Sequence, residues 1–168
     1  MGLIQSAVGE SVDLGPVSIS VDLDGLSVLD VVREEEASME HDRPRFEYTL
    51  YPAAITLKDG HRILIEVHQM SAPMPLDDAI SEREEATGIE HCIMESGMLP
   101  RGAEMSIESY TIDGQDGLLL RSDGGDLYIA GWSPDQVDDG SGTIVCVVGS
   151  DLPWETTERI FRSLTAEV

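Results

Sequence analysis

The residues best placed for chemistry are Glu66 and His68, two apart in RILIEVHQM (62–70). Side chains two apart on a strand leave the same face. A carboxylate would then lie beside an imidazole, the pairing that orients a histidine for proton transfer. Tyr128 and Trp132, in LYIAGW (127–132), add a hydroxyl and an indole of the kind that line small-ligand pockets. A ligand site or active site assembled from dispersed residues would draw on Glu66, His68, Tyr128 and Trp132. The competing reading is structural: a strand histidine faces solvent by default, and a tryptophan is more often a core or rim aromatic.

Other constellations fall short of a site. The histidines are His41, His61, His68 and His91. His61 and His68 are seven apart and would project to opposite faces of one strand, while the pairs Glu66/His68 and His91/Cys92 have no third ligand at a metal-binding interval. The sequence therefore predicts no metal and no cofactor. DLDG (22–25) opens like a calcium loop, but its twelfth position is Arg33 where a bidentate glutamate is needed. Cys92 and Cys146 stand in apolar strings, HCIM and IVCVV, and read as buried thiols; no C-x-x-C occurs. No serine or cysteine sits in a nucleophile motif, so no catalytic residue is assigned.

The turn Gly149–Asp151 has one glycine and no lysine, unlike a phosphate loop, and VGSDL is not the G-x-S-x-G of a nucleophile elbow. Asp151 as an N-cap, Pro153 in the first turn and Glu155 beside the helix dipole describe a structural helix start.

Charge narrows the partners. The 168 residues carry 33 acidic and 10 basic side chains, net −23, and Lys58 is the single lysine. Acids spread along the whole chain repel phosphate backbones and anionic membrane surfaces, which argues against nucleic acid and membrane partners. No run reaches 18 apolar residues, and the opening MGLIQSAVGE lacks the basic and apolar regions of a secretory signal. Lysine-poor acidity resembles haloarchaeal and other halophilic proteins, pointing to a salt-rich cytoplasm; the sharper reading is a basic protein partner.

The elements follow from periodicity. Residues 1–15 are weakly patterned and read as a loose arm on a single domain, 1–168. VSISVDL (17–23) alternates as a strand. LSVLDVVREEEASMEHD (26–42) fits either a helix stripe through Leu26, Leu29, Val32 and Arg33 or a strand; the strand is preferred, with a polar loop through Asp42. FEYTLYPAAITL (46–57) and RILIEVHQM flank the hairpin turn KDGH (58–61), with Asp59-Gly60 tolerating positive φ at both central positions and Pro52 marking an edge or bulge. A surface helix is predicted from Asp77 or Asp78 through Glu85, stopped by Gly88, and IEHCIM (89–94) as a short strand. Then MSIESYTI, LLLRS, LYIAGW and TIVCVVGS, separated by Asp/Gly turns, describe a four-strand antiparallel meander. A closing helix presents Trp154, Thr157, Phe161, Leu164 and Val168 near a 3.6-residue period. Seven or eight strands and two helices, grouped rather than alternating, give an α+β class: an antiparallel sheet covered by two helices.

Successive hairpins ending in TIVCVVGS, then Pro153-Trp154 and the IFRSL helix (within 142–168), resemble the ending of PsbP-like domains. The resemblance implies a central antiparallel sheet between helical layers and a non-enzymatic adaptor role, and no functional residue carries over from it. Three function classes result. The first is a protein-binding or adaptor module using a sheet face or edge, with a homodimer possible. The second is an enzyme or small-ligand carrier built on the four dispersed residues. The third is an acidic secretion-chaperone type of dimer.

Overall fold

The computed structural model describes residues 10–23, 25–42, 45–74, 88–102, 104–138 and 140–168. The helix predicted over 77–85 lies outside these residues. Among them the chain forms eleven strands and two helices, an α+β fold on antiparallel sheet.

Alternation builds the first hairpin. β1 (Glu10–Leu14) and β2 (Val17–Val21) pair antiparallel and bury Val12, Leu14, Val17, Ile19 and Val21. Gly15 joins them at φ +59°, where an added Cβ would overlap the Tyr51 ring. The loose arm expected through residue 15 is therefore wrong from Glu10 onward. ESVDL carries only two apolar positions, too short an alternation to register.

β3 (Val28–Arg33) and β4 (Ala37–Asp42) both pair with β5 (Arg45–Leu57), β3 along Ala53–Leu57 and β4 along Arg45–Leu50. The strand expected after Leu26 forms, but the polar loop shrinks to Glu34–Glu36. Pro52 sits opposite that break. It has no N–H for a ladder, and its carbonyl accepts the Glu34 N–H at 3.0 Å. β6 (Arg62–Met74) returns beside β5. In their turn the Leu57 carbonyl accepts the Gly60 N–H and the Leu57 N–H reaches the His61 carbonyl. Only Gly60 takes positive φ, +93°, so this is a longer bulged loop rather than the two-residue turn the sequence predicts.

The meander appears as expected: β7 (Met105–Ile112), β8 (Gln115–Ser122), β9 (Tyr128–Trp132) and β10 (Gly142–Ser150). Asp113 and Gly114, both at positive φ, make its first turn. The main sheet runs β3-β5-β6-β10-β9-β8-β7, with β4 on the same side of β5 as β3. Because β10 pairs with β6, the meander and the long hairpin share one sheet.

α1 (Gly88–Glu95) covers one face of this sheet. IEHCIM was expected as a strand; it is helical, burying Ile89, Cys92 and Ile93. Four apolar residues in six fit either period, and Gly88 opens this helix. The other face packs α2 (Trp154–Ser163) and a second sheet, β1-β2-β11. α2 ends earlier than its stripe suggests: Leu164 turns extended, and β11 (Thr165–Glu167) pairs with β2, leaving Val168 exposed.

The turn into α2 does structural work, through a different residue from the one predicted. Asp151 does not cap the helix; it accepts the Arg62 N–H at 2.9 Å. Ser150 instead accepts the Leu152 N–H and bonds the Thr157 hydroxyl at 2.8 Å, and Thr157 donates to the Leu152 carbonyl.

Asp135 clamps the β9–β10 connection. Its carboxylate accepts the Thr143 amide at 2.8 Å, the Thr143 hydroxyl at 2.6 Å and the Ile144 amide at 3.1 Å, with the Ser133 hydroxyl 3.0 Å away. Partial burial would push this carboxyl up, but the donors outweigh it and hold it below the ordinary aspartate value. A depressed carboxylate stabilises the fold above its unfolded pKa of about 3.9 and loses that contribution as pH falls through the folded value. Asp135→Ala should cost about 1.5–3 kcal/mol at pH 7, the range for bonds to a charged acceptor. The gap from wild type should close below the folded pKa, as urea melts across pH 2–7 will show.

Candidate functional site

Strand register decides whether the four predicted site residues can meet. Cys146 on β10 faces Val67 on one side and Trp132 on the other, and Ser150 likewise faces Ile63 and Tyr128. Cross-strand partners share a face, so Trp132 and Tyr128 point toward α2. Glu66 pairs with Val147 and His68 with Val145, positions of opposite parity, so these two point toward α1. The sheet lies between the two pairs. A single site built from all four does not form.

On the α2 side both aromatics are structural. Trp132 is fully buried in the core cluster that holds Phe161, Ile65 and Cys146, and its Nε1 has no hydrogen-bond partner among the described residues. Tyr128 donates to the Gly125 carbonyl at 3.1 Å, and its ring centroid lies 5.0 Å from that of Trp154. Arg121 stacks 4.1 Å over Trp154 while its Nε donates to Glu108 at 2.7 Å. Together these contacts seat the start of α2.

On the α1 side Glu66 and His68 do meet, as their spacing predicts, but in the interior rather than on a solvent face. His68 is fully buried and Glu66 nearly so. His68 Nε2 lies 3.1 Å from Glu66 Oε2, and His68 Nδ1 bonds the Tyr48 hydroxyl. A carboxylate only accepts, so Nε2 carries the ring proton, and Nδ1 then accepts from the tyrosine. One ring proton satisfies both bonds. Burial first, and then the electrostatic influence of Cys92, Glu66 and Glu95, pushes the Tyr48 hydroxyl up, keeping it a donor.

Tyr48 is the member that reading the sequence missed. Its signal was the hairpin: with Leu57 bonded to His61, Leu50 stands opposite His68 and Tyr48 opposite Met70. That places Tyr48 on the His68 face, two residues along β5 from Leu50. Cys92 of α1 belongs to the same buried cluster as Tyr48. Burial, followed by Glu66 and Glu95, pushes its thiol up to about 12, so it stays protonated and a poor nucleophile. Cys146 is likewise buried and free on the other face, its thiol also pushed up by burial. With the imidazole sealed and the thiol protonated, the Tyr48–His68–Glu66 chain works as a satisfied buried network that pins β5 against β6.

The open feature of the molecule is an edge. Leu29 is 63% exposed, Val31 38% and Val32 44%, all on β3, which has no strand on its outer side among the described residues. Among the described residues the remaining exposed large apolar side chains, Met94, Val137 and Val168, stand singly on three other segments. The opposite edge, β7, exposes Ser106, Glu108, Ser109 and Thr111, the polar surface that discourages strand addition. On β3 the exposed charges Asp30 and Arg33 are interspersed with the three exposed apolar side chains. Among the described residues there is no helix long and apolar enough to cross a membrane and no group of three potential metal ligands. No protein-family model, curated protein or solved structure matches this chain.

Proposed function

We propose that this protein is a non-enzymatic binding or adaptor module of a salt-adapted prokaryotic cytoplasm, and that it engages its protein partner through the outer edge of β3. The observation that carries this reading is three apolar side chains, Leu29, Val31 and Val32, exposed on a strand that has no neighbour on its outer side among the described residues. A strand in this state is a template for strand addition, with main-chain bonds supplying affinity and alternate side chains selectivity. The burial of His68 and the protonated Cys92 favour binding over catalysis. Lysine-poor acidity with net −23 favours a salt-rich interior, and the PsbP-like ending is in keeping with an adaptor role.

Affinity capture from the source organism's lysate, at its own salt concentration, tests this. A stoichiometric partner should be recovered by the wild type and lost by a Leu29→Lys/Val32→Lys variant, whose substitutions lie on the surface and leave the fold intact. Recovery of the same partner by that variant would move the binding surface elsewhere.

A further inference from the structure

We infer that the occupant of the β3 edge is an extended segment that alternates apolar residues with lysine or arginine. This inference rests on the edge-binding reading above. Glu34 points its N–H inward to Pro52, so strand alternation turns the backbone groups of Arg33 and Val31 outward, where an added strand would bond them. Leu29, Val31 and Val32 offer shallow apolar contacts along the same six residues.

Charge selects among occupants. Asp30 lies within the edge and Glu34–Glu36 continue it, all exposed, against Arg33 alone. A second copy would bring another −23 against the same surface, whereas a basic strand would neutralise the acids it crosses. Lysine contacts at ion-pair distance lie within the screening length of about 3 Å at 1 M salt, so the selectivity weakens in brine without vanishing.

Acetyl-KVKVKV-amide, acetyl-SVSVSV-amide and acetyl-EVEVEV-amide titrated into the full chain separate the possibilities. The basic peptide should bind at least tenfold more tightly than the serine peptide at 0.1 M KCl, with the difference narrowing at 1 M and the acidic peptide not binding. Glu34→Lys/Glu35→Lys/Glu36→Lys should erase the preference, and Leu29→Lys/Val32→Lys should abolish binding of every peptide. Equal binding of the three peptides, lost in Leu29→Lys/Val32→Lys, would overturn the basic partner while leaving the edge reading in place. No binding of any peptide would overturn both. A wild-type dimer that Leu29→Lys/Val32→Lys converts to monomer would make a second copy the occupant and overturn the basic segment.

Discussion

Replacing His68 with leucine is expected to cost about 3 kcal/mol or more, because it leaves the Glu66 carboxylate buried without the imidazole and removes the bond between Nδ1 and the Tyr48 hydroxyl. The triple replacement Tyr48→Phe/Glu66→Met/His68→Leu removes every polar member at similar volume and should return to within about 1 kcal/mol of wild type, since an apolar substitute for a whole buried network is often neutral. Urea melts with an unchanged slope measure both effects. Nε2 of His68 lies 3.1 Å from Glu66, Nδ1 is bonded to Tyr48, and the imidazole is fully buried. If the chain is structural, the triple variant also keeps its partner binding. A triple variant that folds as well as wild type yet loses binding would show that the network serves the function directly.

The second large effect is salt. Two unit charges 10 Å apart in unscreened water repel by about 0.4 kcal/mol, and net −23 on 168 residues leaves many acids without a compensating neighbour. On the order of ten such pairs amounts to about 4 kcal/mol unscreened; roughly a third of that survives the screening length of about 10 Å at 0.1 M salt and almost none survives about 3 Å at 1 M, so about 1.5 kcal/mol is relieved between them. For a chain this size, that corresponds to a rise in Tm of roughly 3–6 °C between those concentrations. Calorimetric scans in KCl will show it. A Tm that is flat or falls with KCl would separate the acidity from salt adaptation and strengthen the reading that the acids serve a partner.

Much of the fold could be read from local chemistry. The Asp/Gly turns of the meander and the alternation in Val17–Val21 carry their own geometry, and β7 through β10 stand where those signals put them. What was not legible is what distance along the chain decides. Six residues of IEHCIM fit either period, and the helix won because Ile89, Cys92 and Ile93 pack together under the sheet. β11 could not be foreseen because its partner β2 lies more than 140 positions earlier. The site followed the same rule. Glu66 beside His68 is a local relation and held. Whether Trp132 shares their face depends on β10 intervening with Cys146 opposite both Val67 and Trp132, a register no single strand reveals. The edge was missed because Leu29, Val31 and Val32 look like core residues until the sheet order places β3 outermost.

Amide hydrogen exchange on the protein alone and with its captured partner tests the account at its centre. Binding through an added strand predicts slowed exchange at the outward amides of Val31 and Arg33, with the amides of α1 and β7 unchanged. Protection confined to α1 or β7, with β3 exchanging as fast as in the free protein, would contradict it.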